Sequence, residues 1–143
     1  MLETAAAIER VDCRGVDALL AAARTGLERL TPEQARAAQQ AGALLVDTRT
    51  ETQRREQGEL PGAVVIDRTV LEWRLDPSSG VCIPEADWDL QVVVVCRQGY
   101  SSSVAAATLR AMGLHRATDL AGGVEAWVRA GLPLHDGPAD VRR

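Results

Sequence analysis

The chain has 143 residues, of which 46% are hydrophobic and 25% are charged, a composition typical of a globular protein with one domain and a substantial core. The formal net charge of −4 argues against a nucleic-acid partner, because no basic surplus is available to neutralise phosphates. All 16 basic residues are Arg, which excludes both Schiff-base chemistry on Lys and the P-loop lysine.

The N-terminal part of the chain is predicted to be helical. Gly15 is expected to interrupt the helix, and Asp12 could cap the part that follows. The apolar residues that define this helix recur at a spacing of three to four: Val16, Leu19, Leu20, Ala23, Leu27 and Leu30.

A second helix is predicted to begin directly afterwards. Thr31 is its expected N-cap, Pro32 occupies the first helical position, and Gln34 completes a capping-box pattern. We expect this helix to end near Gly42, because glycine commonly follows the last turn of a helix.

Short β-type runs then alternate with helical segments, which predicts an α/β fold with right-handed crossovers. Four consecutive valines indicate a strand buried on both faces of a parallel sheet. The segment 75–89 is predicted to be a loop with a short helix around 84–88, and 135–143 a loosely ordered tail. The predicted strands are 43–46, 63–66, 92–95 and, more weakly, 117–120; the predicted helices are 101–112 and 124–130.

The segment with the clearest chemistry begins at Cys96, directly after the valine strand. In open α/β sheets, ligands bind at the carboxyl ends of the strands. A helix starting near Ser101 directs its free N–H groups toward this loop, Gly99 permits a tight turn, and Arg97 adds positive charge. These features favour a reactive thiolate over an inert core cysteine, but they leave a sulfur carrier and a phosphate-cleaving cysteine equally possible.

Three motifs resemble those of the rhodanese family. The sequence CRQGYSS at 96–102 resembles its active-site loop, LVDTR at 45–49 followed by GELPGA at 58–63 resembles its early motif, and DLAGG at 119–123 with Trp127 resembles its closing motif. Glu59 departs from the pattern, since the family usually has His there, and we expect this to alter packing more than chemistry. The resemblance covers 28–134 and leaves 1–27 as a helical extension.

The resemblance implies a rhodanese-like fold, with a parallel sheet of about five strands flanked by helices and no cofactor. It implies a sulfurtransferase in which Cys96 takes sulfur from a small anionic donor such as thiosulfate, forms a persulfide, and passes the sulfur to a thiol, to cyanide or to a protein acceptor. Asp47 and Arg49 are expected to form a charge pair near the site. The substrate-binding loop would consist of Arg97, Gln98, Gly99, Tyr100, Ser101 and Ser102, whose backbone amides would cradle the persulfide.

Two other functions are kept as alternatives. Cysteine-dependent phosphatases and arsenate reductases place an Arg six positions after the cysteine, where this chain has Ser102. A persulfide carrier or regulatory module serving a partner protein is the second alternative.

Cysteine usage and hydropathy set the expected compartment. The cysteines at 13, 82 and 96 are odd in number and form no Cys-x-x-Cys pair, which predicts a reducing compartment and no metal site. Cys13 and Cys82 are predicted to be inert, although a resolving role for Cys82 stays open. No apolar stretch is long enough to span a bilayer, and 1–10 lacks the features of a signal peptide, so we expect a cytoplasmic protein without a membrane partner.

Overall fold

The computed structural model describes residues 13–143, so the predicted cap at Asp12 lies outside the described residues. Within 13–143, no helix is both long and apolar enough to cross a membrane. The strands are β1 (Leu44–Asp47), β2 (Val64–Val65), β3 (Val92–Val95), β4 (Thr118–Asp119) and β5 (Asp140–Val141). The helices are α1 (Val16–Arg24), α2 (Pro32–Gln40), α3 (Glu51–Gln57), α4 (Leu71–Leu75, after a 3-10 turn at Arg68–Val70), α5 (Ser101–Ala111) and α6 (Gly123–Arg129).

The strands form one parallel sheet in the order β4-β3-β1-β2-β5. All four residues of β3 are fully buried, and they alternate between two cores. Val92 and Val94 pack with Leu71, Leu75 and Leu109 on one face of the sheet. On the other face, their strand neighbours Val93 and Val95 pack with Leu45, Leu120 and Trp127. The predicted α/β fold with a five-stranded parallel sheet is therefore confirmed.

The helix predicted around residues 31–42 begins as expected. The Thr31 hydroxyl accepts a hydrogen bond from the Gln34 amide at 3.2 Å, and the Gln34 side chain accepts one from the Thr31 amide at 3.0 Å. Helix α1 is shorter than predicted, because Thr25 is extended and Gly26 has a φ of +82°. Leu30 therefore leaves the helical pattern and forms an isolated parallel bridge with Leu120.

Helices α3 and α4 were not predicted from the sequence, and the helix predicted around 84–88 does not form. Helix α3 is entirely polar, so it has no apolar stripe, and only the capping box between Thr50 and Gln53 marks its start. The prediction of a short helix around 84–88 is wrong, because this segment consists of turns. The helix nearest to it in the chain is α4, which ends at Leu75. The Ile83 amide donates to the Arg74 carbonyl at 2.8 Å, which ties the loop to α4.

The prediction of a loosely ordered tail is wrong for residues 140–142. Strand β5 pairs in parallel with β2, and the Arg142 amide donates to the Val65 carbonyl at 2.8 Å. The Arg142 guanidinium also bridges Glu85 and Asp140, with N–O distances of 2.7 Å to each carboxylate. A two-residue strand containing an aspartate has no β pattern in the sequence, so its tertiary partners determine it.

These ion pairs predict a pH-dependent contribution to stability. The hydrogen bonds from Arg142 lower the pKa of Glu85 and of Asp140 below their ordinary values. Such a contribution is fully present above the unfolded-state pKa of about 4 and is lost as the pH falls through the folded-state pKa. We expect Arg142→Ala to lower the free energy of unfolding by about 1 kcal/mol at pH 7, since the pairs are partly exposed and screened.

Urea unfolding at pH 7 and in strong acid measures this effect. The difference between wild type and Arg142→Ala should vanish in acid. Arg110→Ala is the matched control, because Arg110 donates to a backbone carbonyl, that of His115 at 2.7 Å, and its effect should not follow the titration of a carboxylate. A difference for Arg142→Ala that persists in acid would contradict the assignment.

Candidate active site

Cys96 lies where β3 ends, at the carboxyl edge of the sheet, and residues 96–100 form a loop (the Cys96 loop) that leads into α5. The Cys96 side chain is buried. Its Sγ accepts hydrogen bonds from the amides of Gly99 at 3.1 Å and Ser102 at 3.4 Å. Backbone donors at these positions stabilise negative charge on the sulfur, or on an atom attached to it.

The closing motif packs directly against the Cys96 loop. The first amides of α6 bond to it: Val124 donates to the Cys96 carbonyl at 2.9 Å, and Glu125 donates to the Arg97 carbonyl at 3.1 Å. A Cβ atom added at Gly123 would lie 2.5 Å from the Cys96 carbonyl oxygen. The paired glycines of this motif therefore allow a contact between backbones that any side chain would block.

An open cleft of about 310 Å³ lies beside Cys96. Tyr100 at its rim is exposed. The Arg97 guanidinium forms an ion pair with Glu125 at 3.3 Å, so part of its charge is compensated on the surface. The cleft is lined by Thr48, Arg49, Gln53, Cys96, Arg97, Gln98, Tyr100 and Ser101.

Asp47 and Arg49 form a buried ion pair next to the cleft. Arg49 Nη2 lies 2.8 Å from Asp47 Oδ2, and Nε contacts both carboxylate oxygens. Arg49 also donates to the Gly58 carbonyl at 2.8 Å and to Gln57 at 3.3 Å. The two side chains therefore bond to each other, and Arg49 also bonds to the end of α3. These contacts fix the chain that follows β1.

A second buried carboxylate, which the sequence analysis did not single out as a site residue, supports the start of α5. Asp119 Oδ2 accepts hydrogen bonds from the hydroxyls of Ser102 and Ser103, both at 2.8 Å. Arg29 completes the arrangement with an Nε–Oδ1 distance of 2.9 Å. Asp119 is completely buried. Its place at the end of a predicted strand, on the same sheet edge as Cys96, was the available signal.

Two other residues named in the sequence analysis, Glu59 and Cys82, take no part in the hydrogen bonds that Cys96 Sγ accepts from Gly99 and Ser102. Glu59, at the position where the family usually has His, forms an ion pair with Arg54 at 2.8 Å, and its backbone pairs with His135. Cys82 is half-buried and carries a free thiol. Within residues 13–143, no group of three or more His, Cys, Asp or Glu side chains is arranged to hold a metal ion.

A cysteine at the carboxyl end of a central strand, with backbone amides directed at its sulfur, defines an α/β protein suited to thiol chemistry. Residues 31–130 match the model of the rhodanese-like domain. The chain is 39% identical over 103 residues to the thiosulfate sulfurtransferase GlpE of Pseudomonas syringae, a match that covers 72% of this chain and 89% of that protein.

Solved structures share the fold of this chain. A protein of unknown function from Rhodopseudomonas palustris, described as a possible tyrosine phosphatase, superposes with a TM-score of 0.77 at 33% identity, covering 87% of this chain and 97% of that one. The homodimeric polysulfide-sulfur transferase of Wolinella succinogenes has a TM-score of 0.68 at 27% identity, with coverages of 84% and 86%. The chain belongs to the rhodanese-like domain family, and it is a rhodanese-type sulfurtransferase.

Proposed function

We propose that Cys96 carries the transferred sulfur as a persulfide. The observation that supports this most directly is the pair of amides, from Gly99 and Ser102, that donate to Sγ at the end of a buried strand. The thiolate attacks the outer sulfur of a donor such as thiosulfate. A new S–S bond forms, the S–S bond of thiosulfate breaks, and sulfite leaves with the electron pair.

The second step returns the enzyme to its starting state. An acceptor thiolate or cyanide attacks the outer sulfur of the persulfide, the Cys96 S–S bond breaks, and Cys96 leaves as a thiolate. The loop from Arg97 to Ser102 holds the anionic persulfide through its backbone amides, with no cofactor. Gln98, Tyr100 and Ser101 line the cleft and contact the donor and acceptor.

The donor we propose is a small anion such as thiosulfate, and the acceptor is a thiol, cyanide or a partner protein. Relatives named for thiosulfate support this donor. We also propose that the protein works in a reducing compartment such as the cytoplasm, because Cys82 and Cys96 carry free thiols.

Intact mass spectrometry tests the persulfide directly. Incubation of the pure protein with thiosulfate should add one sulfur atom to the chain, and cyanide should remove it. Peptide mapping should locate the added sulfur on Cys96 and leave Cys82 unmodified. Sulfur found only on Cys82, or no mass gain, would contradict the proposal.

A phosphatase activity is the alternative suggested by the description of the R. palustris protein. The sixth position after Cys96 is Ser102, whose hydroxyl is buried against Asp119 at 2.8 Å. The bidentate clamp of an arginine on a phosphoryl group is therefore missing there. We expect no turnover of p-nitrophenyl phosphate above that of Cys96→Ser, and clear Cys96-dependent hydrolysis would reverse the ranking.

A further inference from the structure

Two arginines that precede the family match both contact the Cys96 loop. Arg24, the last residue of α1, donates from Nη2 to the Gly99 carbonyl at 2.8 Å, and Arg29 donates from Nη2 to the same oxygen at 2.9 Å. Both arginines lie before residue 31, where the match to the model of the rhodanese-like domain begins, and Arg24 also lies before residue 28, where the sequence resemblance begins. A single carbonyl that accepts from two guanidinium groups is firmly held, since hydrogen bonds from charged donors are stronger than neutral ones.

The residue held in this way is the one whose amide contacts the sulfur. The Gly99 N–H donates to Cys96 Sγ at 3.1 Å. Gly99 has no side chain, and its φ of +86° lies in the left-handed region. The Gly99 carbonyl and the Gly99 N–H belong to the two peptide units that meet at the Gly99 Cα, so anchoring the carbonyl restrains the loop backbone directly next to the N–H that contacts the sulfur.

The two arginines differ in charge balance. Arg29 is neutralised by the buried carboxylate of Asp119. Within residues 13–143, the partners of Arg24 are neutral: the Ser103 hydroxyl at 3.0 Å, the Gly99 carbonyl, and the Tyr100 ring, whose centroid lies 5.9 Å from the guanidinium carbon. Arg24 thus places positive charge next to the loop and also contacts the aromatic ring at the rim of the cleft.

We propose that Arg24 is a positioning residue for sulfur transfer. Through the Gly99 carbonyl it holds the loop amide on the sulfur of Cys96, and its charge favours an anionic donor. Helix α1, which the family resemblance leaves without a role, thereby becomes part of the active site. This inference rests on the proposed persulfide function of Cys96.

Arg24 is the better of the two arginines to test. Replacing Arg29 would leave the Asp119 carboxylate buried without its cation, which destabilises a fold strongly. Arg24→Met removes the charge and the hydrogen-bond donors but retains a long apolar chain like the stem of Arg. Arg24→Lys retains the positive charge. Arg74→Met is the matched control, because Arg74 also donates to a backbone carbonyl, that of Val81 at 2.7 Å.

The first measurement is the rate at which thiosulfate loads sulfur onto the protein. We expect Arg24→Met to lower this rate about tenfold, Arg24→Lys to recover most of it, and Arg74→Met to leave it unchanged. The wild-type rate should fall more steeply with increasing NaCl than the rate of Arg24→Met, because salt screens the charge of Arg24, which the variant lacks. A residue that only stabilises the fold would not change the salt dependence.

The second measurement is amide hydrogen exchange of Gly99, which does not require sulfur transfer. Exchange should be faster in Arg24→Met than in wild type and Arg74→Met, at a similar midpoint of global unfolding. If wild type takes up no sulfur, the persulfide proposal fails and the exchange rate alone decides the role of Arg24. Equal Gly99 exchange in wild type and Arg24→Met would overturn the positioning role, and so would an unchanged loading rate with the same salt dependence.

Discussion

Replacing Cys96 with Ser is expected to abolish sulfur transfer while leaving the fold intact. The hydroxyl of Ser is a far weaker nucleophile than a thiolate and cannot carry a second sulfur atom as a persulfide. Loss of the nucleophile should therefore reduce the rate by at least about a thousandfold. Thiocyanate formation from thiosulfate and cyanide measures the activity, and thermal unfolding measures the fold.

Cys82→Ser is the matched control for this variant. Cys82 is half-buried and lies in the segment between α4 and β3, where no helix begins immediately after it. We expect this variant to keep most of the activity. An equal loss from Cys82→Ser would instead indicate a relay between two cysteines.

The part of the site that is local in sequence could be predicted, because its signals lie within a few residues. Four consecutive valines mark a strand buried on both faces, and a cysteine, a glycine and serines directly after it mark a loop entering a helix. The capping box is likewise local, because Thr31 and Gln34 are only three residues apart and are each other's hydrogen-bond partners. In each case the residues that determine the structure are neighbours.

The parts that could not be predicted depend on distant partners. Arg24 and Arg29 reach the Gly99 carbonyl across 75 and 70 residues, and nothing in an arginine's immediate sequence indicates which carbonyl it will contact. Strand β5 could not be predicted for the same reason, since Asp140 and Val141 form a strand by pairing with the distant strand β2. The polar helix α3 lacks the apolar period on which helix prediction depends.

Gly99→Ala should disrupt the site more severely than any other change in the loop that spares the sulfur. Alanine at a φ of +86° incurs backbone strain of about 1–2 kcal/mol. A Cβ atom at this position would also lie 2.6 Å from the Gly122 backbone nitrogen. Because that neighbour is backbone and cannot rotate away, the loop must shift, and the amide that donates to Cys96 Sγ shifts with it.

Gly26→Ala separates these two effects. Gly26 has a similar φ of +82°, but nothing lies within 4 Å of a Cβ added there, so this variant carries the strain without the collision. We expect Gly26→Ala to lower the free energy of unfolding by about 1 kcal/mol and to retain sulfur-transfer activity. Gly99→Ala should lower the free energy of unfolding by about 2–4 kcal/mol. Sulfur loading by Gly99→Ala should fall about a hundredfold, because the displaced amide no longer stabilises charge on the sulfur. If Gly99→Ala loads sulfur as fast as Gly26→Ala, the Gly99 amide has no part in holding the persulfide.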